Sequence, residues 1–341
     1  MLGQGFIPFE AQPRRSFQGE VLLNNRMLSL AAVLMAVTVA ACSKGNEKST
    51  SATTTTAGGG NGAKTIGVSV QNREAQFYQD MENGMKSEAA KYGYHVNVVD
   101  ANRDNSKQQS QVEDFISQKV AAIVLTPYDS QAIGSAISEA NKANVPVFTA
   151  DIANTAKQGI VVAHIASDNV QGGAQAGKLM CQAIPGKVGS IAIINEPEVT
   201  SVQDRVKGFR AAIKANCKNV TIVADVDGGG DRSRASSAME DILQTHKDLR
   251  GVFGINDDSA LGAATAIKSA GLGGKVVVIG YDATPEARDA IKTGTMYGDA
   301  IQYPSQIGAK TIDAIHDYFN GKKPPSRVTV AVGTFTKSDV K

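Results

Sequence analysis

The stretch GVFGINDDSALGAATAIKSAGLGGKVVVIGYDATPEARDAIK, residues 251–292, carries the pattern that decides the fold. The apolar run Gly251–Ile255 ends at Asn256, and the run Lys275–Gly280 passes through Tyr281 to Asp282. Both runs are short and rich in β-branched residues, as buried strands are. Periodicity of 3.6 residues predicts a helix over Ser259–Ala270, stopped at Gly271, and a second opened by Pro285 and running to Lys292. The unit is a strand, a polar strand end and a helix, given twice.

Outward from this stretch the same alternation runs from Lys64 on. Strands are expected at Thr65–Val70, His95–Val99, Ala121–Leu125, Val145–Ala150, Ile160–Ile165, Gly189–Ile194, Val220–Ala224 and Tyr297–Ile301, besides the two above. Helices are expected at Phe77–Tyr92, Lys107–Gln118, Ser130–Ala143, Gly172–Ile184, Ser201–Ala215, Ser233–His246 and Ser305–Asn320. Ala136, Ala140 and Ala143 share a helix face that allows close packing, and Gly93 and Gly321 stop the first and last helices. Regular alternation of this kind predicts an α/β fold of parallel sheets covered by helices on both faces. The length favours two doubly wound lobes over one sheet of ten strands. In such sheets ligands bind beyond the carboxyl ends of the strands.

Those ends carry Asp151, Asn256, Asp282 and Gln302, with Arg205 at a nearby helix start. Any one of them alone reads as a turn or helix cap, and Arg205 alone as a surface charge. Together at one edge they suit a neutral sugar, whose hydroxyls both donate and accept, and Arg adds a planar fork for two adjacent oxygens. Phe77 and Tyr78, just past the first strand, can stack on the C–H face of a sugar ring, or Phe77 can pack in its lobe's core. Aromatics make up 5% of the chain and there is no Trp, so an adjacent pair at a site edge stands out.

Enzyme signatures are poor. The four histidines stand apart from any Ser or Cys nucleophile with a third orienting group, and no GxSxG elbow exists. Gly228-Gly229-Gly230 lacks the phosphate-loop pattern. Asp257-Asp258 resembles a metal-ligand pair but reads better as a cap for the helix near Ser259, with a rim or hinge role for Asp257 left open. No cofactor and no metal site is expected. A formal charge of +2 over 341 residues gives no reason to expect nucleic acid.

The N-terminal region reads as an export signal. Arg14, Arg15 and Arg26 precede the apolar run Leu28–Ala41, which closes in the lipobox Val39-Ala40-Ala41-Cys42. Residues 1–41 are expected to be a signal peptide, with lipidation at Cys42 anchoring the protein to a membrane. Residues 42–63 have almost no large apolar side chain and are expected to be a flexible tether. Of the three cysteines, Cys181 and Cys217 remain, either as a disulfide or as two buried thiols.

In order along the chain, His164-Ile165-Ala166-Ser167-Asp168-Asn169, Arg205-x-x-Gly208-Phe209, Asn256-Asp257-Asp258-x-Ala260-Leu261-Gly262-Ala263, Gly280-Tyr281-Asp282-x-Thr284-Pro285 and Gln306-Ile307-Gly308-Ala309-Lys310 resemble the periplasmic sugar-binding proteins of the ribose-binding type, which serve ATP-driven importers. The resemblance runs from about Lys64 to Lys341. It implies two lobes joined by a three-strand hinge, with crossings near Ala166–Asp168, Gln302–Tyr303 and Val330–Gly333. The lobes would be 64–167 plus 303–331 and 168–302 plus 332–341. It implies sugar contacts at Phe77, Tyr78, Asp151, Arg205, Asn256, Asp282 and Gln302, with Gln71 in the first loop.

Departures are specific. Ile152 stands where a ribose binder has a second arginine. Gln71 and Ala75 stand for a Ser and an Asn, and Gly230 for an aromatic. They point away from ribose itself, towards another pentose, a hexose, a furanose or a polyol, with Arg73 or Glu74 as compensating groups. The implied protein is a monomeric lipoprotein, periplasmic or at the cell surface, that hands a monosaccharide to an ABC permease with its ATPase. The alternatives are a sugar sensor feeding a chemoreceptor or kinase, a repressor effector core, and a secreted enzyme.

Overall fold

The computed structural model describes residues 63–340, so the signal, Cys42 and nearly all of the tether lie outside the described residues. Two six-stranded sheets organise the chain. The first is built from β1 (Thr65–Val70), β2 (His95–Asp100), β3 (Ala122–Leu125), β4 (Val147–Ala150), β5 (His164–Ser167) and β11 (Arg327–Val330), in the order β11-β5-β4-β3-β1-β2. The second takes β6 (Val188–Asn195), β7 (Asn219–Asp227), β8 (Leu249–Gly254), β9 (Val277–Asp282), β10 (Gly298–Ile301) and β12 (Gly333–Thr336), in the order β12-β10-β9-β8-β6-β7. Every pairing is parallel except that β12 runs antiparallel to β10.

Helices cover both faces of each sheet. On the first, α1 (Gln76–Lys91) packs beside α9 (Pro304–Phe319), and α2 (Asn105–Ser117) beside α3 (Gly134–Lys142) on the other face. On the second, α4 (Asn169–Ala183) crosses α5 (Thr200–Asn216), opposite α6 (Arg232–Thr245), α7 (Asp257–Ser269) and α8 (Pro285–Thr293). Each lobe therefore holds two apolar clusters, one per sheet face. Central strands are buried on both sides, so that β1, β3 and β4 are buried almost throughout, including Ser69 and Thr149.

The chain passes from sheet to sheet between β5 and α4, between β10 and α9, and between β11 and β12. Close helix contact sets the geometry of the second lobe. A Cβ on Gly173 would collide with the backbone oxygen of Arg205, and one on Gly208 with that of Val170. Glycine at these places lets α4 and α5 touch backbone to backbone, and so fixes where Arg205 stands. The disulfide Cys181–Cys217, with its Cα atoms 5.6 Å apart, ties the ends of the same two helices.

Several boundaries differ from expectation. The strand expected at Ile160–Ile165 is His164–Ser167, because pairing with β4 begins at Thr149 opposite His164, and Ile160 is 74% exposed. The helix expected from Ser130 starts at Gly134, because the Asp129 carboxylate accepts from the backbone N–H groups of Gln131 and Ala132 at 2.7 and 3.0 Å and holds a turn there. Of the expected alanine face, Ala136 and Ala140 are buried while Ala143 lies exposed past the helix end. The strands β11 and β12 were expected only as a hinge crossing. Helix α7 begins at Asp257, so Asn256 is its cap and the expected capping by Asp257 and Asp258 is corrected.

Candidate functional site

Between the carboxyl ends of the two sheets lies a cleft of about 310 Å³, and Gln71, Phe77, Tyr78, Asp151, Arg205, Asn256, Asp282 and Gln302 all line it. The volume sits at the small end of the roughly 300–1,000 Å³ usual for ligand pockets. The eight residues expected as ligand contacts are thus brought to one place.

Phe77 and Tyr78 open α1, whose first turn points at the cleft. Their rings meet edge to face, 5.2 Å between centroids. Phe77 also belongs to the first lobe's apolar cluster, so the core and cleft readings of this residue both hold. The Tyr78 hydroxyl donates to Gln71 Oε1 at 2.6 Å, and Gln71 Nε2 donates to Glu196 Oε1 at 2.6 Å. That second bond spans the lobes, from the end of β1 to the end of β6.

Asp151 follows β4 with φ of 63°, and Asp282 ends β9 with φ of 123°. A positive φ on a non-glycine residue is uncommon and is found disproportionately at ligand sites. Burial pushes the Asp151 carboxyl above its usual range, against the opposing pull of Arg205. Burial, helped by the charge of Asp257, pushes Asp282 well above it. Asp282 Oδ1 accepts from Gln302 Nε2 at 2.7 Å, whereas Gln302 Oε1 and Asp151 Oδ1 are buried with no hydrogen-bond partner. Two residues of the cleft lining thus each keep a buried acceptor without a donor, which costs free energy until it is met.

Arg205 supplies the donor side. Its Nε donates to Asn169 Oδ1 and one terminal nitrogen to the Ile255 carbonyl, both at 2.9 Å. The guanidinium lies 4.2 Å from the centre of the Tyr281 ring. Its other terminal nitrogen stands 3.9 Å from Asp151 Oδ1, beyond hydrogen-bond reach. Burial opposes the charge, but Tyr281, Asp282 and Asp151 more than offset it and raise the pKa above that of a free arginine. Asn256 is a cap and a cleft residue at once. Its Oδ1 accepts from Ser259 N at 2.8 Å, and its Nδ2 donates to the Gly230 carbonyl at 3.1 Å.

The departures take definite places. Ile152, 1% exposed, leaves the first sheet and packs into an apolar cluster of the second lobe beside Val199 and Val202. Arg73 does not compensate for a lost arginine, because Glu82 holds its guanidinium at 2.8 and 3.0 Å outside the cleft lining. Glu74 reaches the cleft rim, 75% exposed and 3.6 Å from Arg103.

Two acidic groups, Glu196 and Asp299, escaped the sequence reading, and Asp257, left open there for a rim or hinge role, stands with them. Glu196 is buried in the cleft wall, and burial raises its pKa to about 7 against the opposing bond from Gln71. Asp257, behind Asp282, accepts from Thr284 N at 2.7 Å, and burial raises it to about 6. Asp299 sits fully buried beside it, with neither oxygen hydrogen-bonded. A charge inside the otherwise apolar strand GDAI was the available signal for Asp299. Among the described residues no group of His, Cys, Asp and Glu could hold a metal ion.

Residues 66–323 match the family model of the periplasmic binding protein domain. The chain belongs to the periplasmic binding protein family. It is of the ribose-binding type: over 260 residues it is 37% identical to the ribose import binding protein RbsB of Bacillus subtilis (strain 168), covering 76% of this chain and 83% of that one. The ribose import binding protein RbsB of Escherichia coli (strain K12) is 31% identical over 304 residues, or 89% and 97% of the two chains. Among solved structures, a solute-binding protein of an ABC transporter from Agrobacterium vitis, bound with alpha-D-tagatopyranose, superposes with a TM-score of 0.77 at 26% identity, covering 81% of this chain and 95% of that one.

Proposed function

We propose that this periplasmic binding protein is the substrate-binding lipoprotein of an ABC-type monosaccharide importer. It captures a neutral sugar in the cleft between lobes 64–167 plus 303–331 and 168–302 plus 332–341. The observation that carries the reading is the convergence of Asp151, Arg205, Asn256, Asp282 and Gln302 with the Phe77–Tyr78 pair on one cleft. Acceptors outnumber donors in that wall, which suits a ligand rich in hydroxyls and disfavours an anion. Ribose, named for two of the relatives, and the tagatopyranose bound to the third are of that kind.

Arg205 and Asp151 come from opposite lobes with a gap that one hydroxyl oxygen can bridge, accepting from the guanidinium and donating to the carboxylate. The sugar thereby favours the closed form through contacts made only there. The closed form is what an importer would recognise. No bond is made or broken. Lipidation at Cys42 would hold the protein at the membrane beside its transporter, periplasmic or at the cell surface, as a monomer.

The test is a thermal-shift screen of the purified chain against pentoses, hexoses, furanoses and polyols, read with a dye because the chain has no Trp. A ligand that binds only the folded form raises the melting temperature by mass action. At least one sugar is expected to do so. A cooperatively folded sample that none of them shifts would sink the reading. The anchor is tested separately: Cys42→Ser should release the protein from membranes.

A further inference from the structure

Two of the places where the chain departs from the ribose-binding pattern, Gln71 and Gly230, meet at one carboxylate. Glu196 lies in the turn between β6 and α5 and lines the cleft, 5% exposed. Its Oε1 accepts from Gln71 Nε2 at 2.6 Å. Its Oε2 lies over Gly230, where an added Cβ would stand 2.5 Å from that oxygen and 3.2 Å from Asn256 Nδ2. Gly230 also has φ of 61°, in the left-handed region that favours glycine. A side chain at 230 and the carboxylate of Glu196 therefore exclude one another. Where the ribose-binding pattern has a ring, this cleft has a glycine with a carboxylate oxygen above it and Asn256 beside it.

The exchange changes what that wall can recognise. A ring offers a π face to bare C–H groups. A carboxylate offers only acceptor lone pairs, so it needs an O–H or N–H donor opposite and repels anions. One oxygen of Glu196 is engaged by Gln71, which leaves the other for the ligand side. Burial also penalises the ionised form of Glu196, and a ligand hydroxyl donating to it offsets part of that penalty.

We propose that Glu196 is a specificity-determining residue of the cleft, its Oε2 accepting a hydrogen bond from a hydroxyl of a neutral sugar or cyclitol on the side where the ribose-binding pattern has an aromatic ring. The assignment rests on the sugar-binding reading above. It selects a ligand that carries a hydroxyl on that side, and rejects analogues deoxygenated there. With Asp151 and Asp282 in the same cleft, it also rejects sugar phosphates and sugar acids.

The experiment is calorimetric titration of the full chain, Glu196→Gln and Gly230→Ala with D-ribose, D-allose, D-tagatose, D-fructose, L-arabinose and myo-inositol. Unliganded melting of each variant is followed by circular dichroism. Glu196→Gln keeps the shape of the side chain but loses the charge and turns part of the acceptor into a donor. It is expected to melt as a folded protein and to bind the tightest probe about tenfold more weakly. Its losses should be unequal across the probes, so that their ranking changes. Gly230→Ala, which displaces the carboxylate without removing it, should change the ranking in the same direction. A folded Glu196→Gln that binds every probe as the wild type does, or loses the same factor on all of them, overturns the assignment while the sugar reading stands. A wild-type chain that binds none of the six overturns the sugar reading and this assignment with it.

Discussion

The two walls of the cleft are built differently. In the second lobe the polar groups are held by neighbours of their own lobe. Arg205 is bonded to Asn169 and the Ile255 carbonyl and stacked on Tyr281, and Asn256 is tied to Ser259 and Gly230. Asp282 is tied to Gln302 at the crossing. In the first lobe they reach across. Gln71 donates to Glu196, Ile152 packs into the other lobe's cluster, and Asp151 leaves Oδ1 unpaired with Arg205 as its nearest charge. If the lobes close as proposed, one wall is ready beforehand and the other is completed by the closing. On the proposed function, a sugar would lodge first against the second lobe, where the donors already stand in position.

The largest test of this contrast is Arg205→Ala. It removes the fork from the prepared wall and leaves the Asp151 carboxylate buried without its counter-charge, which costs about 3–5 kcal/mol in comparable pairs. Sugar affinity measured by calorimetry should fall at least a hundredfold while the protein still folds. Wild-type affinity in a folded variant would take Arg205 out of the site.

Next comes the disulfide, which stiffens only the prepared lobe. Replacing Cys181 and Cys217 together by Ser opens a bridge of 36-residue separation, for which chain entropy predicts up to about 4 kcal/mol of lost stability. Denaturant melts should show that loss with affinity for the best sugar changed little. A large loss of affinity would mean that the α4–α5 crossing positions Arg205 only while bridged.

A third test acts on the other lobe. His164 opens β5, its Nδ1 2.9 Å from Thr149 Oγ1, and burial lowers its pKa to about 4 from an ordinary 6.5. The neutral ring is the form the fold prefers. Its contribution is therefore complete above pH 6.5 and is lost as pH falls from there to about 4. The shift corresponds to about 3 kcal/mol at most. His164→Gln should flatten the fall of melting temperature across that window. Glu196 works in the opposite sense: with its pKa raised to about 7, its ionisation costs stability as pH rises towards that value.

The smallest effect is expected from Gln71→Ala, which removes the Tyr78–Gln71–Glu196 chain between the lobes. About 1 kcal/mol, or roughly fivefold in affinity, is the scale of one such bond. Unliganded stability unchanged with affinity reduced would mark it as a closing contact.

Much of this was legible from residues alone because it rests on local signals. Buried parallel strands announce themselves as apolar runs, and the polar residue after each run falls at the sheet edge whatever the tertiary detail. Asp151, Asn256 and Asp282 were found that way. What escaped depends on partners far along the chain. Arg327–Val330 and Gly333–Thr336 are four-residue strands that exist because β5 and β10 offer an edge. Asn195-Glu196-Pro197-Glu198 reads as an exposed polar turn, and only Gln71, 125 positions away, and the missing side chain at Gly230 show why Glu196 is buried. Arg73, offered with Glu74 as a compensating group, is held instead by Glu82 on the neighbouring helix.

The threefold crossing between sheets also sets a clock. The first sheet is finished by β11 and covered by α9, both of which follow every strand of the second sheet except β12 in the chain. A ribosome adds about 5–20 residues per second, so β5 waits on the order of ten seconds or more for its edge partner. During that time the second lobe can assemble most of its own strands from contiguous chain, while the lobe begun first stays incomplete. Synthesis begins with the first lobe, yet each sheet takes its last strand, β11 or β12, only near the end of the chain.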